Sequence, residues 1–71
     1  MNREEHLAWA KSRALYYLNE GNIDMAVISF TSDMRKHGEL KRHPGIELLT
    51  MAHLGSNLNI KFARKLINDC N

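Results

Sequence analysis

One cysteine and one proline stand among the 71 residues, aromatic side chains make up 7%, and the formal charges nearly balance at +2. Each scarcity excludes something. A lone Cys70 cannot close an intramolecular disulfide, so no covalent staple supports the fold, and a single thiol suits a reducing compartment better than a secreted protein. No stretch approaches the roughly 20 apolar residues of a membrane span. The opening Met1-Asn2-Arg3-Glu4-Glu5-His6 carries acids where a signal peptide is basic, and no apolar segment follows it. A cytosolic chain with no membrane partner is therefore expected. The small net charge permits contact with nucleic acid without requiring it.

Catalytic and metal-binding patterns are missing as well. The histidines His6, His37, His43 and His53 show neither the CxxC nor the HExxH spacing of paired ligands, so they read as helix-end and surface residues and no metal is expected. Ser29, Thr31, Ser32 and Asp33 are close in sequence, yet on a helix they point in different directions, and no strained turn or oxyanion-hole loop accompanies them. Gly21, Gly38, Gly45 and Gly55 fall at helix ends or beside Pro44, which leaves no phosphate-cradling glycine motif. The chain is expected to be neither an enzyme nor a cofactor carrier.

What remains is a helical pattern with enough apolar surface, 44% of residues, to fold. One domain over residues 1–71 is expected, and a chain this short buries only about 60% of the surface its unfolded form exposes, which favours self-association. Nothing alternates like a strand over a useful length. The predicted class is all-α, a compact bundle of four short helices over about 3–19, 23–37, 44–54 and 60–70.

Asn2 with Glu5 makes an approximate capping box for the first helix, whose inward stripe is Leu7, Ala10, Ala14, Tyr17 and Leu18, widened by Ala8 and Leu15. Gly21 supplies its left-handed stop. Ile23, Ala26, Val27, Phe30 and Met34 form the cleanest helical stripe, starting near Asn22 to Asp24 and ending at Gly38. A polar connection from Gly38 to His43 leads to Pro44 in the first position of the third helix. There Ile46, Leu48, Leu49, Met51, Ala52 and Leu54 cover most of the circumference, the mark of a helix surrounded by others or covered by a second subunit. Gly55, Ser56 and Asn57 break the pattern, and Asn59 caps a last helix with the stripe Ile60, Ala63, Leu66, Ile67 and Cys70 beside Phe62.

Two polar or aromatic groupings are candidates for binding. Trp9 and Tyr16 lie seven residues apart on the first helix with Arg13 between them, the composition of an interface hot spot, unless another helix of the same chain covers the row. Arg35, Lys36, Lys41 and Arg42, flanked by His37 and His43, could contact phosphate together with the amides at the start of the third helix, Pro44, Gly45 and Ile46. The plainer reading of that cluster is a solvated helix end and loop. Base-facing Arg, Asn or Gln residues on a groove-reading helix cannot be placed.

From Ala10 to Gly38 the chain resembles a single tetratricopeptide helical hairpin. Ala14, Tyr17, Gly21, Asn22, Ala26 and Phe30 take the positions of the small residues, aromatics and turn in that family, in the right order and spacing. Asp33 departs from it where a second small residue is usual, as does Gly38 where proline is usual, and no second copy of the pattern follows. Over nearly its whole length the chain also resembles a family of short proteins encoded by tailed bacteriophages and prophages. The opening seven residues carry that likeness, with Arg13-Ala14-Leu15-Tyr16-Tyr17-Leu18, Gly21-Asn22, Ser32-Asp33-Met34, Lys36-His37, His43-Pro44-Gly45-Ile46 and Lys65-Leu66-Ile67. The resemblance implies a phage origin and a bacterial host cytosol, and no site residues or mechanism. The expected function is a protein-interaction module that binds and modulates a bacterial host protein, as a homo-oligomer. The alternatives are a nucleic-acid or nucleotide binder using the basic cluster and a small-ligand sponge with its pocket between subunits.

Overall fold

Each helix starts at a side-chain cap, because the first amides of a helix have no partner within it. In the computed structural model, which describes residues Met1–Asn71, the four are α1 (Arg3–Asn19), α2 (Ile23–Arg35), α3 (Pro44–Leu54) and α4 (Ile60–Asp69), with no strand. Asn2 and Glu5 form a complete capping box on α1: Asn2 Oδ1 accepts from the Glu5 amide at 2.8 Å, and the Glu5 carboxylate accepts from the Asn2 amide at 3.1 Å. Asn22 Oδ1 accepts from the Met25 amide at 3.0 Å and Asn59 Oδ1 from the Phe62 amide at 2.8 Å. The fourth cap is His43, whose Nδ1 accepts from the Gly45 amide at 2.9 Å.

α1 and α2 form one hairpin and α3 and α4 another. Going round the bundle the helices follow chain order, α4 closing against α1, and α2 also touches α4 while α1 and α3 stay apart. Gly21, at φ +76°, makes the left-handed stop between α1 and α2. Ala14 and Ala26 have no exposed surface, which lets the two helices pack closely, and Phe30, Leu18 and Met34 fill the space around them. Leu49 from α3 and Ala63 and Ile67 from α4 complete the core.

Several expectations are corrected. α2 stops at Arg35, two residues early, because the Asp33 carbonyl is shared: it accepts from the Lys36 amide at 3.2 Å and from His6 Nε2–H at 2.6 Å, while the His37 amide turns to Met34. Gly38 is not left-handed and does not end the helix. The connection after it is not wholly polar, since Leu40 is fully buried and anchors the turn. α4 ends at Asp69, with Cys70 extended. Ala8 is exposed and does not widen the α1 stripe, whereas His6 is buried within it.

Gly45 lies inside the first turn of α3, where glycine ordinarily costs stability. A Cβ there would run into Cys70 Sγ, so the missing side chain is what lets the end of α4 close over α3. Gly45→Ala is expected to destabilise the chain by about 1–3 kcal/mol despite alanine's better helix propensity. Urea denaturation of this variant and of Gly45→Ala/Cys70→Ala checks it, since the second change should recover most of the loss.

Candidate functional site

The aromatic row of α1 is divided by the packing of α2. Trp9 is half-buried against the core, with the His6 ring edge-on at 5.1 Å, the Arg13 guanidinium 5.0 Å from its centroid and Lys36 Nζ at 5.7 Å. Both cations are held there by Asp33, a carboxylate only 1% exposed: Arg13 Nε lies 3.3 Å from Oδ2 and Lys36 Nζ 3.2 Å from Oδ1, and Ser29 Oγ–H donates to Oδ2 at 3.3 Å. Two positive charges beside one indole are tolerable because the Asp33 carboxylate pairs with both of them. Tyr16 stands apart, 60% exposed, and packs edge-on against Tyr17 at 5.4 Å. The structure thus brings Trp9 and Arg13 together, adds Lys36 to them, and leaves Tyr16 separate.

The rest of the basic cluster gathers elsewhere. Arg35, Lys41 and Arg42 line a cleft of about 320 Å³ with His43 and with Ile46, Glu47 and Thr50 of α3. Of the ten Lys and Arg side chains, six are engaged: Arg3 with the Asn71 main-chain oxygen, Lys11 with that of Asn68, Arg13 and Lys36 with Asp33, Arg64 with Asn19 and Lys65 with Asp69. The other four, Arg35, Lys41, Arg42 and Lys61, make no side-chain hydrogen bond or ion pair, and three of them share this cleft. The α3 amides do not serve it as expected. Pro44 has no N–H, and the Gly45 and Ile46 amides are taken by His43 Nδ1 and the His43 carbonyl.

The histidines all have structural tasks. His6 donates to the Asp33 carbonyl, His43 caps α3 and donates from Nε2 to the Asn71 main-chain oxygen at 2.8 Å, and His37 Nδ1 accepts from the Glu39 amide at 3.1 Å. His53 Nε2 lies 3.2 Å from Asp24. Cys70 is buried with its Sγ–H donating to the Leu66 carbonyl at 3.3 Å, and that burial pushes its thiol above the ordinary range, opposed by Lys11 and reinforced by Asp69.

A folded-state pKa raised in this way favours the protonated thiol. Its stabilising contribution is present below the thiol pKa of the unfolded chain and lost as pH rises through that of the folded one. Wild type is therefore expected to lose more stability than Cys70→Ala between about pH 7 and about pH 10, as read from urea midpoints.

A third surface is apolar. On α3 only Ile46 and Leu49 are buried and Ala52 is half-buried, whereas Leu48, Met51 and Leu54 are 57%, 67% and 77% exposed. Within one chain the helix is not surrounded. Leu48 shares a cleft of about 270 Å³ with Leu66 of α4, and Phe62, one turn before Leu66, is also exposed. The apolar surface therefore continues from α3 across to α4.

Comparison with known protein families, with curated proteins and with solved structures finds no match.

Proposed function

We propose that this chain is a non-catalytic protein-interaction module that acts as a homo-oligomer, copies meeting through the outer face of α3. The exposure of Leu48, Met51 and Leu54 at every third position carries this reading. α3 leaves three of its large apolar residues in water. Contiguous apolar surface of that kind marks an interaction site, whereas scattered single residues do not. The three belong to one helix and are extended by Leu66 and Phe62.

The likeness to short tailed-phage proteins supports a bacterial host protein as the further partner, met in the host cytosol. No helix is long and apolar enough to cross a membrane. The half-covered Trp9 with its fixed cations and the free Tyr16 ring offer a second, preorganised surface for that partner on α1.

Sedimentation equilibrium at low and high salt tests the self-association. The expected result is a dimer or larger species whose mass holds or grows as salt rises, because apolar contacts are not screened. A monomer at every concentration up to about 100 μM would leave only an association too weak to matter and would sink the reading.

A further inference from the structure

Three unpaired cations in one cleft stand out in a chain that engages six of its other seven basic residues. Like charges repel at close range, and each would be better placed beside one of the carboxylates or main-chain oxygens that hold Arg3, Lys11, Arg13, Lys36, Arg64 and Lys65. We propose that the cleft between the end of α2 and the start of α3 binds a compact ligand carrying two or more phosphate groups, through Arg35, Lys41 and Arg42.

The charge of the cleft sets the ligand. His43 Nδ1 accepts from the Gly45 amide, so that nitrogen carries no proton, Nε2–H donates to Asn71, and the ring is a neutral wall held on both sides. Three cations and the Glu47 carboxylate then leave a net charge of +2 at the site, which matches a polyanion better than a single carboxylate. Arg35 and Arg42 have the planar fork that grips phosphate oxygens in pairs, and Lys41 adds a point charge. The cleft is at the small end of ligand-pocket size, about 320 Å³ against a usual range of roughly 300–1,000 Å³.

Its lining favours a compact ligand over a nucleic-acid strand. No Phe, Tyr or Trp ring is present to stack a base. The three cations converge, where tracking a backbone calls for a row of them, and the fourth free cation, Lys61, lies outside the cleft at the start of α4.

Titration calorimetry of the full chain with inorganic tripolyphosphate at low salt tests the site. Saturable binding of one tripolyphosphate per chain is expected, with Arg35→Ala and Arg42→Ala each weakening it about tenfold and Lys61→Ala leaving it unchanged. Glu47→Gln should tighten it by removing the one repelling charge. On the wild-type chain, amide shift changes confined to the segments around residues 35, 41–43 and 46–50 would support the site without any variant. Absence of saturation overturns the proposal, as does an equal loss in Lys61→Ala, which would reduce the effect to net charge. Orthophosphate binding as tightly as tripolyphosphate would overturn the requirement for more than one phosphate. An oligonucleotide that binds more tightly, with the same dependence on Arg35 and Arg42, would overturn the compact ligand in favour of nucleic acid.

Discussion

Alanine at both Arg13 and Lys36 is expected to destabilise the chain by roughly 3–5 kcal/mol, most of the stability available to a domain of this size. The Asp33 side chain is 2% exposed and has three partners, Arg13, Lys36 and Ser29. With both cations gone, a carboxylate remains between α1 and α2 with only a hydroxyl to compensate it, and the cost of its desolvation stands nearly alone.

Either single substitution leaves one cation in place. Because both cations are themselves about half exposed, each single loss is screened and is expected to cost only about 1 kcal/mol, plus a smaller amount for the contact with Trp9. The double variant should therefore lose clearly more than the sum of the singles, a coupling that urea denaturation followed by circular dichroism reads directly. Adding Asp33→Asn to the double variant should restore much of the loss, since a neutral amide needs no counter-charge. A double variant within about 1 kcal/mol of wild type would show that Asp33 reaches water when its partners leave, and would remove the network from the account of stability.

This network also shows what the sequence could and could not reveal. Periodicity and capping residues placed all four helices, because a stripe such as Ile23, Ala26, Val27, Phe30 and Met34 depends only on spacing and burial. α3 began and ended where Pro44 and the Gly55 break put it. The sequence does not mark Asp33 as a buried counter-charge, since the need for a carboxylate there arises from Arg13 on another helix. Nor does the sequence mark His6 as buried, for the same reason: its acceptor is a carbonyl 27 residues away. Leu40 left a fainter signal, a single leucine in an otherwise polar connection, and an apolar residue so isolated in a short loop can be read as an anchor. The pairing of Trp9 with Arg13 was legible from their i, i+4 spacing. The separation of Lys36 from Arg35, Lys41 and Arg42 was not, because neighbours at the end of a helix diverge by about 100° per residue and only the fold decides which one faces the cleft.

Glutamate at both Leu48 and Met51 is expected to convert the proposed oligomer to a monomer, raising the dissociation constant by about a thousandfold or more. The fold should tolerate the change, because α3 is held by Ile46 and Leu49, both positions are more than half exposed, and glutamate is a good helix former. The interface should not. Each side chain withdraws roughly 1.5–3 kcal/mol of apolar burial, and in a two-fold symmetric contact each substitution acts on both sides. The introduced carboxylates would also face one another across the axis. Ala8→Glu is the control, since Ala8 is exposed on α1, which makes no contact with α3, and the mass of that variant should equal that of wild type. Tyr16→Ala separates the two surfaces. If that change, rather than the α3 pair, produced the monomer, self-association would belong to the α1 surface, and the α3 face would be left free for the proposed further partner.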